Sequence, residues 1–280
     1  MQAVWEAVPT FEAAAYVGRG GEGGSHPILL RIQDGRVVHV KLQHNPQTTR
    51  SLASDWIGTL LARGLGAPVP EVVLVSIPFE HLARLPQLKR IRWRPGLQFG
   101  TWYVAGARPV DSRLDWRKVQ NWSALPLVAL VETWLHNQDL KSSHLLLCPA
   151  GDGFRLMATD HGFILPGGPG WTVDDLARSR TVFPAPGLLT RLALSVPVRF
   201  DFGPALQVCT AVRRQELEAL VASVPREWGL SRRRREALVD FLRARRDRLA
   251  PVAHRLEALW NHGKGGDSGM AAAKEDEDGG

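Results

Sequence analysis

Cysteine is nearly missing from these 280 residues: only Cys148 and Cys209 occur, far apart, with no CxxC and no clustered histidine beside them. That spacing excludes a disulfide framework and offers no zinc ligand set, so both are expected as buried thiols. No apolar run approaches the ~20 residues needed to cross a bilayer. The opening MQAVWEAVPTFEAAAY carries acids where a secretory leader has a basic start and an apolar centre. The expectation is a cytoplasmic chain with no membrane partner. No internal repeat is evident, which excludes solenoids. Disorder is excluded by the 44% apolar content, enough for a sizeable core in one large domain or two lobes.

Positive charge and tryptophan are what the chain has in excess. A net charge of +7 points to an anionic partner such as nucleotide, nucleic acid or an acidic protein surface. The ten tryptophans fall mostly beside apolar positions, so core packing is expected, with base stacking the alternative.

From Val4 to Gln43 the pattern predicts two or three strands and a glycine-rich turn. Strands are expected over Ile28–Ile32 and Val37–Leu42, joined by a Gln33-Asp34-Gly35 hairpin. Between residues 18 and 27 the run GRGGEGGSHP lets backbone N–H groups approach an anion, which makes Gly21, Gly23, Gly24 and Ser25 candidates for holding phosphates. The alternative is a purely connecting loop. Lys41 lies in the apolar VVHVKLQ, where a charge is costly unless paired. A helix predicted over Thr48–Gly64 offers Asp55 as that partner; otherwise Lys41 snorkels at a strand edge and Asp55 faces solvent. Gly64-Leu65-Gly66 ends the helix, and Glu71–Ile77 reads as a buried strand. Farther on, Gly96 to Val104 suggests a turn entering a strand at a hinge between lobes. Lys89, Arg90, Arg92 and Arg94 around Trp93 form either a solvated loop or a nucleic-acid grip.

Chemistry concentrates between Val131 and Pro166. A helix (Leu125–Leu135), a polar turn (His136–Ser143), a strand (His144–Cys148), a Gly-Asp-Gly hairpin and a second strand (Phe154–Thr159) lead to Asp160-His161-Gly162. A hairpin returns the end of its second strand to the start of its first, so Asp139, His144 and Asp160 are expected to converge. Carboxylates held close repel unless a cation or a proton transfer uses them. Phosphoryl transfer needs such a set: one carboxylate for the attacking hydroxyl, a second for magnesium, and a neutral ligand. Asp139 to His144 reproduces the D-x-x-x-x-N interval of a kinase catalytic loop, with His where Asn is usual. His161, His136 and His26 are expected as structural histidines.

In order, the glycine-rich hairpin, strand lysine, acidic helix, LGAPVPE, NQDLKSSHLLL and TDHGF resemble the HipA-like kinase family, in particular its short stand-alone members lacking antitoxin-associated extensions. The likeness covers roughly residues 12 to 260. It implies an α+β, bilobal, protein-kinase-like fold with a small β-rich N-lobe (1–105) and a larger, mostly helical C-lobe (106–262). It also implies transfer of the γ-phosphoryl group of ATP, with Mg2+, to a protein serine or threonine. Carried over position by position, Lys41 binds phosphates, Asp55 pairs with it, Asp139 is the base, and Asp160 is the metal ligand. Asn137 fits the family loop motif, whereas Leu140 stands where Arg is common and His144 where Asn is. Imidazole suits zinc, copper or iron better than it suits magnesium. The site therefore uses His144 as it stands, runs with one ion, or binds nucleotide without turnover. A small-molecule kinase and a basic nucleic-acid-binding scaffold are the other readings.

After Gly162 the glycine- and proline-rich ILPGGPGWTVDDL predicts an exposed, mobile loop. Mostly helical sequence follows, with helices within 204–222 and 231–260. Ser231 is a good N-cap and Pro251 a bend or restart. Leu238, Phe241, Leu242, Leu249, Val252, Leu256 and Leu259 form the expected buried stripe. The arginines at 232–235, 243, 245, 246 and 248 are expected on a solvated face, or on a helix that binds nucleic acid with steep salt dependence. The acidic, glycine-rich 263–280 is expected to be disordered.

Overall fold

The computed structural model describes residues 8–21, 24–78, 94–111, 114–179, 182 and 187–264. Gly23, the basic run from Lys89 to Trp93 and the tail from 265 lie outside the described residues. Within them the architecture is α+β and bilobal, with a β-rich amino-terminal lobe and a helical carboxy-terminal one.

The first three strands are β1 (Thr10–Arg19), β2 (Ile28–Ile32) and β3 (Val37–Lys41). With β4 (Val72–Ile77) and β5 (Gly96–Trp102) they close a barrel in the order β1-β2-β3-β5-β4, shut by parallel pairing of β1 with β4. Side chains alternate across a strand. Ile28, Leu30 and Ile32 therefore share the barrel interior with Val38, Val40, Val73 and Val75. Lys41 has the opposite parity and faces out of the barrel, directly across from Phe99 of β5.

Helix α1 (Thr48–Gly64) crosses beneath this barrel and is buried continuously from Ser51 to Ala62. Its end is a Schellman motif: Gly66 takes φ +87, Ala67 N–H donates to the Ala62 carbonyl, and Gly66 N–H donates to Arg63. Trp56 on this helix packs edge-on against Trp228, and its indole N–H donates to Ser223 Oγ. The apolar residues of α1 thus belong to the large carboxy-terminal core, separate from the barrel interior. Turn 226–228 fastens the two lobes further. Glu227 accepts from Leu97 N–H and Gln43 Nε2, while Trp228 Nε1 donates to the Leu97 carbonyl.

Past a short strand β6 (Arg108–Pro109), helix α2 (Leu125–Trp134) runs through the core with Pro126 in its first turn, where a missing N–H costs nothing. Strands β7 (Leu145–Ala150) and β8 (Gly153–Ala158) form the expected hairpin around Gly151. Five of the remaining helices are α3 (Val173–Arg178), α4 (Gly187–Leu194), α5 (Gly203–Thr210), α6 (Arg214–Ala222) and α7 (Arg232–Arg246); α8 (Leu249–Asn261) ends the fold. Ser231 caps α7 through Arg234 N–H, and the chain restarts at Arg248 with Pro251 in the first turn of α8.

Four sequence expectations need correction. The stretch after Gly162 is exposed only in part: Gly167, Gly170, Thr172 and Asp174 face solvent, but Ile164, Leu165 and Trp171 are buried, because their apolar area is better spent against the core than in water. Arg245 does not face solvent. It is 1% exposed and its guanidinium caps α2 by donating to the Thr133 and Trp134 carbonyls and to Ser179. Arg235 and Arg246 likewise donate to carbonyls, of Val224 and Val212. Leu259 is exposed, and Trp260 next to it takes the buried position against Phe200 and Phe202. His26 is an exposed residue at φ +47 rather than a packed structural histidine.

Candidate active site

Lys41 leaves the barrel face and meets two carboxylates. Its Nζ lies 3.0 and 2.8 Å from the oxygens of Asp55 and 2.7 Å from Asp160 Oδ1. The snorkelling alternative is thereby removed, since both Lys41 and Asp55 are buried. Burial works against the charge on Lys41, but the two carboxylates outweigh it and raise its pKa above the ordinary lysine value. Burial pushes Asp55 up to about 6 against the pull of Lys41. Asp160 is also disfavoured by burial, yet Lys41 and then His144 hold its carboxyl well below the usual range.

The β7–β8 register explains how Asp160 arrives there. Leu145 pairs with Ala158, so Thr159 N–H donates to the His144 carbonyl and Asp160 emerges beside His144. Asp160 sits at φ +64, a left-handed conformation that costs a non-glycine residue roughly 1–2 kcal/mol. Strain of this kind is retained where the surroundings over-determine it. Gly162 completes the corner: a Cβ there would stand 3.0 Å from Asp55 Oδ2 and 3.4 Å from Lys41 Nζ.

His144 Nε2 lies 3.6 Å from Asp160 Oδ2, too far for a hydrogen bond, and its buried Nδ1 has no protein partner. Burial lowers the imidazole pKa, against Asp160, so the ring is neutral and its nitrogen lone pair is available. Among the described residues no three His, Cys, Asp or Glu side chains gather into a metal set. Asp160 and His144 fit a divalent cation as a two-donor pair, an oxygen and a nitrogen, whose remaining ligands would be phosphate oxygens.

Asp139 follows a tight turn after α2 that begins with His136 at φ +60. Asn137 Oδ1 accepts from Asp139 N–H at 3.0 Å, and Lys141 Nζ lies 3.0 Å from Asp139 Oδ2. Asp139 is partly open to solvent, and its charge reaches His144. At the other end of the cleft, His39 shares the outward face of β3 with Lys41 and donates from Nε2 to the Gly20 carbonyl at 3.0 Å. Gly20 has no room for a side chain, since a Cβ would lie 2.8 Å from the His39 ring. Gly24 is equally close to Gln47, just ahead of α1. Gly21 and Gly24 are exposed and Ser25 is buried.

The structure therefore brings Lys41, Asp55, Asp160 and His144 into one cluster, with Asp139 on the adjoining loop. It also shows a residue that sequence patterning missed. Glu132 is a lone carboxylate in the apolar LPLVALVETW, 1% exposed. Its Oε2 accepts from Asn137 Nδ2 at 2.7 Å, and its Oε1 lies 3.2 Å from His161 Nε2. His161 Nδ1 in turn meets the Thr59 hydroxyl of α1 at 3.0 Å. Burial opposes protonation of His161, but Glu132 outweighs it and raises the pKa. A single acid in a buried apolar helix was the available clue, because such a charge must find a partner.

A barrel-and-helix upper lobe, a helical lower lobe and a lysine held by two carboxylates define the class of protein-kinase-like folds. The family model described as HipA-like kinase matches residues 15–146, from β1 into β7. No curated protein matches the sequence. Among solved structures, the Helicobacter pylori proinflammatory kinase CtkA superposes with a TM-score of 0.56 at 13% identity, covering 90% of this chain and 99% of its own. The Golgi casein kinase with Mn/ADP bound superposes with a TM-score of 0.52 at 12% identity, covering 91% of this chain and 75% of that one. At such identities the likeness is one of fold. Family and fold together support a kinase-like phosphotransferase. No helix among the described residues is long and apolar enough to cross a membrane.

Proposed function

We propose that the chain is an ATP-dependent phosphotransferase of the serine/threonine protein kinase type. The observation that carries this is the ion cluster at Lys41: an amine fixed by Asp55, beside a carboxylate whose second oxygen faces His144. Lys41 is charged at every physiological pH and would contact the nucleotide phosphates, with Asp55 holding its side chain in place. The described glycine-rich residues Gly21, Gly24 and Ser25 would cover those phosphates. Asp160 and His144 would hold a divalent cation, magnesium in the simplest case, which supplies charge neutralisation to the transferring group. Asp139 would accept the proton of the acceptor hydroxyl, with Asn137 fixing its backbone and Lys141 shielding its charge.

Two substitutions test this. Asp139→Asn is expected to cut turnover by roughly 10²–10⁴-fold, the usual range for a positioned acid or base, while ATP binding stays near wild type. Equal turnover would remove Asp139 from the reaction. Asp160→Ala is expected to abolish metal-dependent nucleotide binding, and unchanged binding would rule out its metal role.

A nucleotide-binding protein without turnover is favoured by one observation, the imidazole at position 144. His144→Asn decides between them. A large gain in autophosphorylation over wild type marks a degraded site, and a loss marks His144 as a working ligand.

A further inference from the structure

We infer that Glu132 and His161 are positioning residues that set Asp139 relative to helix α1. The inference rests on the reading of Asp139 as the proton acceptor. A continuous series of polar contacts links the two: Thr59 Oγ1 to His161 Nδ1 at 3.0 Å, His161 Nε2 to Glu132 Oε1 at 3.2 Å, Asn137 Nδ2 to Glu132 Oε2 at 2.7 Å, and Asp139 N–H to Asn137 Oδ1 at 3.0 Å.

Three features distinguish this series from incidental packing. Its middle members are buried, with His161 at 0% and Glu132 at 1% exposure, so each relies on its protein partners. Both carboxylate oxygens of Glu132 are engaged, one toward the loop carrying Asp139 and one toward the residue after Asp160. Thr59 lies one helical turn beyond Asp55, so the same face of α1 holds Lys41 at one point and His161 at the next. Gly58 admits the ring at that crossing: a Cβ there would lie 2.6 Å from His161 Cβ. The two ends of the reaction, phosphate binding at Lys41 and proton acceptance at Asp139, are thus gauged from one helix. Misplacement of a reacting group by about 1 Å can cost on the order of 10²-fold in rate, so such a gauge is worth its buried charge.

Glu132→Gln tests it without changing shape. Glutamine presents one oxygen and one NH2, so if its oxygen keeps Asn137 its NH2 faces His161 Nε2, which accepts it only as a neutral ring protonated at Nδ1 toward the Thr59 hydroxyl; in either orientation the carboxylate that holds both partners is lost and each contact is weakened. In the full-length chain, hydrogen exchange at the Asp139 amide is expected to speed up about 10-fold or more. Turnover should fall about 10–100-fold while KM for ATP shifts less than about 3-fold. The double variant Glu132→Gln with Asn137→Asp reverses donor and acceptor at that contact and should bring both amide protection and turnover back toward wild type.

Wild-type protection and turnover in Glu132→Gln would overturn the inference. So would a parallel loss of stability, ATP binding and turnover that the double variant fails to restore, since that pattern marks a structural pair only. If the wild-type chain binds ATP without turning it over, the assignment of Asp139 fails on its own, and the exchange measurement still decides whether Glu132 positions it.

Discussion

Two buried clusters of charge flank α1, and they are built differently. At Lys41 one amine faces two carboxylates, the sum is negative, and Asp160 keeps 32% of its side chain open. At His161 one imidazole faces one carboxylate, Asn137 and Thr59 complete the contacts, and both members of the pair are closed to solvent. Surplus charge with an opening is what a site needs to take up a cation. A balanced and sealed pair can exchange nothing and serves to hold geometry. The contrast separates the residues that would meet ligand from those that place them.

The largest effect that could break this contrast is on stability. Glu132→Ala leaves His161 and Asn137 buried without their partner and is expected to cost about 3–5 kcal/mol in urea unfolding. Asp160→Ala should cost less, about 1–2 kcal/mol, because Lys41 keeps Asp55, while alanine stays in the same strained left-handed position. Equal losses would mean the two clusters do the same work. Next comes Gly58→Ala, where the new methyl meets His161; about 1–3 kcal/mol is expected from overpacking, read as a lowered melting temperature. A stabilised variant, as helix propensity alone would give, would show that His161 has room to move. Thr59→Val removes one contact to a buried ring and should cost about 1 kcal/mol.

The smallest effect is graded with pH. Glu132 outweighs burial and raises the folded pKa of His161 above the ordinary histidine value of 6.5, so its contribution is complete below that value and is lost as pH rises through the folded one. The stability gap between wild type and His161→Gln should therefore narrow as pH rises above about 6.5, the ordinary histidine value. A gap that widens over this range would contradict the pairing with Glu132.

Much of the fold was legible because local rules agreed with one another. The helix expected over Thr48–Gly64 and the strand over Ile28–Ile32 occur with those limits, since glycine termination and period-two alternation are short-range effects. The pair of Lys41 and Asp55 followed from the cost of a charge in an apolar strand, and the approach of His144 to Asp160 from hairpin geometry; the direct contact of Lys41 with Asp160, and that of Asp139 with Lys141 on its own loop, did not. What stayed hidden depended on distant partners. Arg245 reads as one of a solvated row until the carbonyls ending α2 are seen beside it. The glycines and prolines after Gly162 outweighed Ile164, Leu165 and Trp171, which are the residues that decide burial there. Thr59 gave no sign at all, because nothing in a threonine on an apolar helix says which ring it will meet.

The shared core of α1 and the carboxy-terminal helices has a mechanical consequence. With Trp56 wedged against Trp228, this helix travels with the lower body although it precedes most of that body in the chain. It cannot swing outward as a regulatory lever without breaking the main core, which also takes in Val72, Leu74 and Phe99 of the barrel strands. Lys41 on the barrel, bonded to Asp55 on that helix, is thus one more brace between the lobes beside the bonds of Glu227 to Leu97 and Gln43.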